Sequence, residues 1–476
     1  MKPDQRASRN WEPDVKRADL YPIMETGQMN TKNIAVIGSG ISGLSAAWLL
    51  SKKHDVTLLE ADDRLGGHTN TVDMDVNGQT VAVDTGFICF NTATYPNLVA
   101  LFDHLDVPVH DTTMGFAVSR FSGGYEYSGG SYSALFGQRS NIAKPSHWLM
   151  IRDILRFFRE AAADLDAIPT EQSLGDYLAS KNYSRAFIEN HLLPMGAAIW
   201  SSDAGDVMDY PARAFISFFQ NHALLQVEDR PKWGTVVGGS RTYLNAVVAD
   251  GNFAVQTNAA ATSVVRHHDR VDVHGADGVV RTFDDVVIAT HADQALNMLD
   301  APSAEEQRLL GSFRYTPNRA VLHRDPAAMP KRRRVWDAWN YIDFDKPGQP
   351  PDANSRLCLS YWMNALQDLG TDEDIFVTLN PPEDMELKNV AASFDYAHPL
   401  FDEAALNAQQ ELWSLQGTNR TWFCGAHFGS GFHEDGLQSG LAVAEQLGGV
   451  RRPWEVENES GRITISNPAA QLQAAE

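Results

Sequence analysis

Cysteine is scarce. Cys89, Cys358 and Cys424 are the only three in 476 residues, and they lie far apart, without the close pairs that bind zinc or iron–sulfur clusters. This excludes a disulfide framework, points to a reducing compartment, and predicts no metal site. Long apolar runs are also missing: none approaches the roughly 20 residues needed to cross a bilayer. Residues 1–30 lack the apolar stretch of a secretory signal and read as a flexible polar tail, so the cytoplasm is the default location. Positive charge is in short supply, with 39 Lys and Arg against 61 Asp and Glu and a net charge of −22. Such a surface repels nucleic acid and gives anionic lipid no general attraction. Any peripheral contact with the inner face of a membrane has to be local. What is present is a hydrophobic content of 43% and an aromatic content of 10%, enough for two domains or one large composite one.

The chain is organised around Ile34-Ala-Val-Ile-Gly38-Ser39-Gly40-Ile41-Ser42-Gly43-Leu44. A short apolar run suits a buried parallel strand, and glycines at G-x-G-x-x-G spacing then lead into a helical stretch. Asp55-Val-Thr-Leu-Leu-Glu60 reads as a second strand ending on a carboxylate. Gly38 permits the tight turn, Gly40 lets backbone approach a pyrophosphate, and Gly43 lets helix and strand pack closely. The helix start adds N–H groups and the positive end of a dipole. Glu60 stands 20 residues beyond Gly40, where a carboxylate accepts hydrogen bonds from ribose hydroxyls and repels a 2′-phosphate. A dinucleotide site follows, with NADP disfavoured.

A second glycine pair comes soon after, in Ala61-Asp-Asp-Arg64-Leu65-Gly66-Gly67-His68-Thr69. A plain NAD fold does not need it, whereas a longer cofactor would use the close backbone approach. Here the chain resembles the FAD-dependent amine oxidases and their relatives, the phytoene desaturases and protoporphyrinogen oxidases. His68 stands where that superfamily usually has arginine. Further on, Val72 to Val83 alternates around Asn77-Gly78 as a hairpin. It ends in Asp84-Thr-Gly86-Phe87, similar to the superfamily's segment beside the isoalloxazine. The resemblance implies that Val264 meets the adenine through its backbone. It also implies that Gly425, Asp435 and Gly436 belong to a C-terminal flavin motif, in which Ala426 replaces the usual acid. The implied fold is α/β: a Rossmann-like FAD-binding domain of glutathione reductase type with an interleaved mixed-sheet and helical substrate domain. The FAD-binding domain would comprise 31–94, 227–301 and 406–450, the substrate domain 95–226 and 302–405, and 451–476 would be a polar tail.

The C-terminal run Gly425-Ala-His427-Phe-Gly-Ser-Gly-Phe-His433-Glu-Asp-Gly436, with His323 and Lys331-Arg-Arg-Arg334, is similar to a bacterial subgroup of this superfamily. That subgroup includes the desaturase of furan fatty acid biosynthesis, which implies oxidation of a methyl-branched acyl chain of a phospholipid. A fatty acid double-bond isomerase, an oxidase of a soluble amine, and a flavin-binding protein without turnover stay open. The chemistry implies a lipid or small-molecule substrate and a downstream electron acceptor that no motif names. An acyl chain needs an apolar tunnel, for which Phe87, Phe90, Trp200, Tyr361, Trp362, Phe428 and Phe432 are candidates. It also needs a proton acceptor, and His433, His427 and His323 are the catalytic candidates, because imidazole titrates near neutral pH. Two stretches are candidates for a lipid surface. In one, the helix Ser146 to Ile168 carries Trp148, Ile151, Leu155, Phe158, Ala162 and Leu165 on one face, flanked by arginines; packing on its own domain is the alternative. The other is the basic run 331–334 beside Trp336 and Trp339, which reads equally as a solvated turn.

Overall fold

In the computed structural model the apolar run forms strand β1 (Asn33–Ile37), the glycine turn leads into helix α1 (Ile41–Leu50), and strand β2 (Asp55–Leu59) returns beside β1. The structure describes residues 31–169, 171–200, 204–221, 224–225, 231–344 and 358–465, so the expected tail over 1–30 lies outside the described residues. β1 is the middle of a five-stranded parallel sheet in the order Ala254–Gln256, β2, β1, Asp285–Ile288, Thr421–Phe423. Parallel neighbours require long crossovers. The strands therefore come from widely separated parts of the chain, and other elements are threaded between them.

Every residue of α1 is buried, so the helix shows almost no polar face. Its outer side is covered by the C-terminal helix His433–Gly448. The two meet without side chains between them: a Cβ on Gly440 would lie 2.2 Å from the Ser42 carbonyl oxygen. Burial of Leu44, Trp48 and Leu50, each fully enclosed, contributes about 1.5–3 kcal/mol apiece. The hairpin forms as Thr71–Val76 and Gln79–Asp84, with Asn77 and Gly78 at φ of 55° and 85° as its turn type demands.

The two excursions of the chain pool their strands. A seven-stranded sheet runs Ala392–Leu400, Arg314–His323, Phe376–Leu379, Cys358–Trp362, Trp339–Ile342, Phe116–Arg120, Tyr125–Ser128. All its pairs are antiparallel except Trp339–Ile342 with Phe116–Arg120. Against it lies a helical layer that includes Pro145–Asp164 and a π-helical turn at Ile188–Leu192. The long helix buries Met150, Asp153, Phe157 and Ala161. The apolar stripe read from the sequence is therefore only partly packed. Trp148 and Leu155 stay half exposed, and Ile151 and Phe158 are only partly buried.

The expectation of a polar tail from 451 is corrected for 451–465. Arg452 is 2% exposed, held between the two Glu445 carboxylate oxygens at 2.8 and 3.0 Å. Arg462 donates to Asp435 at 2.6 Å, and Trp454 stacks on Trp48 with ring centroids 5.8 Å apart. The segment looks polar in sequence because its charges are the partners of acids buried on the C-terminal helix. No helix among the described residues is long and apolar enough to cross a membrane.

Candidate functional site

The glycine turn opens onto a cavity of about 1670 Å³. Ligand pockets are usually about 300–1,000 Å³, so this one has room for two molecules, a long cofactor and a substrate. It lies at the carboxyl ends of β1, β2 and Asp285–Ile288, where open parallel sheets bind ligands. Gly38, at φ +98°, turns the chain, and its N–H donates to the Leu59 carbonyl at 2.8 Å. Glu60 ties the two glycine segments together. Its Oε2 accepts from the Ser39 N–H at 2.9 Å and from the Ser39 hydroxyl, while Oε1 accepts from the Asp62 N–H at 3.0 Å. Gly66 N–H in turn donates to Ser39 Oγ at 3.0 Å. Helix α1 and the C-terminal helix both begin at this cavity, so two positive dipole ends converge there.

Most of the residues singled out in the sequence line this space: Gly38 to Ser42, Glu60, Ala61, Arg64, Gly66 to His68, Gly86, Phe87, Gly425, His427 and His433. Others stand behind the wall. A Cβ on Gly43 would lie 1.9 Å from the Gly38 carbonyl oxygen, and one on Gly436 would lie 2.8 Å from Ile41, so both glycines serve close packing. Leu65 packs on the core, and the Thr69 hydroxyl bonds Tyr243. Asp435 accepts from the Phe432 N–H at 2.7 Å and from Arg462.

Two expectations are corrected. Val264 is fully buried off the cavity, its carbonyl accepting from the Asp300 N–H at 3.2 Å; Ala261 and Thr262 of the same strand reach the lining instead. His323 is a sheet residue away from the cavity, with Nε2 2.7 Å from Thr378 Oγ1 and Nδ1 accepting from the Asp325 N–H at 3.1 Å. Both its nitrogens are committed, so it is structural. Of the tunnel candidates, Phe87, Tyr361 and Phe432 line the cavity, whereas Phe90, Trp362 and Phe428 do not. The side chain of Trp200 lies outside the described residues.

The cavity wall carries more imidazoles than the sequence pattern indicated. His68, His291, His398, His427 and His433 all line it. The His68 ring stacks on Tyr396 at 4.8 Å and lies 5.4 Å from His398, and His291 stacks on Tyr315 at 4.2 Å. His433 lies flat on Phe87, 3.9 Å between centroids, with Nε2 2.6 Å from the Tyr243 hydroxyl. Burial, the largest cause throughout, holds these rings neutral at pH 7. It pushes His433 and His427 down to about 3 and His398 to about 4, and lowers His68 and His291. Mutual repulsion adds to this, from His291 on His398 and His427 and from His398 on His68. Neutral imidazoles here are hydrogen-bonding groups and proton acceptors rather than cations.

His291 was legible in principle, because it follows the carboxyl end of a parallel strand. His398, on the edge strand of the second sheet, and His191, in the π-helical turn, carry no such signal. Turns of that kind occur often at functional sites, and His191 reaches the cavity beside Tyr127.

Three features of the wall fit a flavin dinucleotide. A Cβ on Gly40 would meet no protein atom within 4 Å, so packing does not require glycine there, whereas a pyrophosphate against the backbone does. Glu60 borders the cavity at the ribose position. Finally, His68 Nε2 is buried without a hydrogen-bond partner among the described residues, a costly state unless a bound group satisfies it.

Comparisons with known proteins agree. Residues 41–369 match the model of the flavin containing amine oxidoreductases. An L-amino acid oxidase of Cerastes cerastes is 48% identical over 50 residues, and a flavin-containing amine oxidase of Oncorhynchus mykiss is 55% identical over 58. These stretches span only 10% and 12% of this chain and 10% of each relative. Among solved structures, a fatty acid isomerase from P. acnes superposes with a TM-score of 0.62 at 14% identity, covering 87% of this chain and 98% of that one. A putrescine oxidase gives 0.62 at 15% identity, covering 88% and 99%. At these identities the structures speak for the fold. With more than half its length matched by the family model, the chain belongs to the flavin containing amine oxidoreductases.

Proposed function

We propose that this protein desaturates a fatty acyl chain, with a methyl-branched chain of a membrane phospholipid as its substrate. One observation carries the reading. From Met114 to Leu224 the described residues of the cavity lining include Phe116, Ile151, Ile154, Phe158, Met195 and Phe218, and none of them is Asp, Glu, Lys or Arg. An arm of that composition suits a long hydrocarbon and gives an ammonium group no counter-charge. A fatty acid isomerase shares the fold, which is compatible with the reading.

FAD, when bound, supplies the two-electron acceptor, and the protein supplies orientation and proton handling. Gly38 to Ser42, Glu60 and Gly66 to His68 would hold the dinucleotide, and Gly425 would border the flavin end. The apolar arm aligns the chain and keeps out water. We assign proton removal to His427, a neutral imidazole whose buried Nε2 has no hydrogen-bond partner among the described residues. His433 is second, because its Nε2 is already engaged by Tyr243. A base with so low a pKa is weak, so the proton has to leave a carbon activated by simultaneous loss of its neighbour's hydride.

The test is anaerobic mixing of purified holo-protein with phospholipid carrying a branched acyl chain, with free fatty acid, or with amines. The expected result is bleaching of the flavin by the acyl lipids alone, with one new double bond per flavin reduced. Bleaching by amines alone refutes the reading. A shifted double bond without bleaching would make the protein an isomerase.

A further inference from the structure

The cavity's apolar arm reaches the surface beside Tyr132 and Leu155, and the surface there is unusually apolar. Tyr132 and Leu155 line the cavity and are also 89% and 50% exposed, so they stand at its mouth. Around them the surface is apolar. Of the twelve exposed large apolar side chains among the described residues, five (Tyr132, Ile142, Trp148, Leu149 and Leu155) fall within 132–155. Part of this surface is in direct contact: the Trp148 indole N–H donates to the Ile142 carbonyl at 2.9 Å, and its ring lies 5.1 Å from Phe136.

This patch is rimmed by cations. Residues 132–164 hold five basic and three acidic side chains in a chain of net charge −22, and one of the acids, Asp153, is buried against Arg152 and Ser184. The run 331–334 lies alongside: a Cβ on Gly137 would sit 3.2 Å from Arg334, and Lys144 feels the charge of Arg332. Within that run Arg332 is bound to Glu126 and Arg333 to Asp374. Arg139 and Arg334 are exposed and form no ion pair among the described residues. The two stretches that the sequence offered separately as lipid surfaces are thus one surface.

We infer that this face, Trp148 and Leu149 with the Arg139 and Arg334 rim, docks onto an anionic phospholipid bilayer, so that an acyl chain passes directly into the cavity mouth between Tyr132 and Leu155. Indole and leucine side chains enter the interface while guanidinium groups meet phosphates, and the acidic remainder of the protein stays away from the membrane. The passage of the chain, though not the docking, rests on the acyl-chain reading above.

The experiment is flotation of the holo-protein with phosphatidylglycerol/phosphatidylcholine vesicles and with pure phosphatidylcholine vesicles. The wild type should float with the first and lose most of that binding near about 1 M salt, where charges are screened within a few ångströms. Trp148→Glu/Leu149→Glu and, independently, Arg139→Glu/Arg334→Glu should each lower the bound fraction about tenfold while retaining flavin. Arg319→Glu, a like charge change near the opposite edge of the seven-stranded sheet, should not. Absence of flotation, flotation of the variants like wild type, or an equal loss in Arg319→Glu overturns the inference. Bleaching by detergent-dispersed acyl lipid separates the two claims. Bleaching without flotation removes the docking face alone, and flotation without bleaching removes the acyl-chain reading alone.

Discussion

Lowering the pH from 7 to 5 should destabilise this protein strongly, because it buries neutral histidines. His191, His323 and His427 are 8%, 0% and 4% exposed, and burial pushes them down to about 4, 4 and 3 from an ordinary 6.5. Between the folded and unfolded values the unfolded chain binds more protons than the native one, so stability is present above about pH 6.5 and is lost as pH falls toward the folded values. At pH 5 each imidazole has forfeited about 2 kcal/mol, roughly 6 for the three. Asp84 works in the opposite direction. It is fully buried and pushed up by that burial from 3.8 to about 6. The native state therefore takes up its proton first and regains about 1 kcal/mol over the same interval. The net loss of about 5 kcal/mol is a large part of the 5–15 available to a folded protein. Urea unfolding followed by tryptophan fluorescence at pH 7, 6 and 5, at a fixed excess of FAD, measures it. A midpoint that moves to lower urea at each step supports the reasoning. A midpoint unchanged between pH 7 and 5 refutes it, and would mean that these rings are hydrated or charged.

Gly440→Ala should force α1 and the C-terminal helix apart, lowering stability by about 1–3 kcal/mol and weakening FAD binding further; flavin retention on desalting together with thermal unfolding reports both. Arg452→Ala should cost about 1–3 kcal/mol, because it strips the buried Glu445 of all its cations but Arg451, read as a shift in the urea midpoint. Glu60→Arg should lower FAD occupancy, since it replaces the ribose acceptor and breaks the tie to Ser39; full occupancy by absorbance would rule out that placement. His427→Ala should keep the yellow cofactor and lose lipid-driven bleaching, whereas undiminished bleaching would remove His427 from proton transfer.

The nucleotide-binding half of the fold was legible because its elements are local. An apolar run, glycines at fixed spacing and a terminal carboxylate each report a backbone requirement within about 30 residues, and β1, α1 and β2 form where those signals stand. The C-terminal helix was legible for the same reason. The second sheet was not, because it joins strands from 116–128 edge to edge with strands from 314–400, and no periodicity within a strand specifies a partner so distant. The histidine cluster was hidden likewise: His68, His291, His398 and His427 meet only once both sheets are in place. The stripe on helix Pro145–Asp164 has helical spacing, but periodicity cannot distinguish a face that packs on the core from one that lines a cavity mouth. The C-terminal segment failed for a different reason. Its arginines look solvated until Glu445 and Asp435 are seen buried opposite them.

The account depends on the two ends of the chain closing around a single flavin, and the flavin content of the purified protein tests this most directly. Absorbance before and after acid precipitation should show about one FAD per chain, the stoichiometry of one dinucleotide fingerprint. A colourless protein that takes up no added FAD would contradict the site and the lipid chemistry built on it.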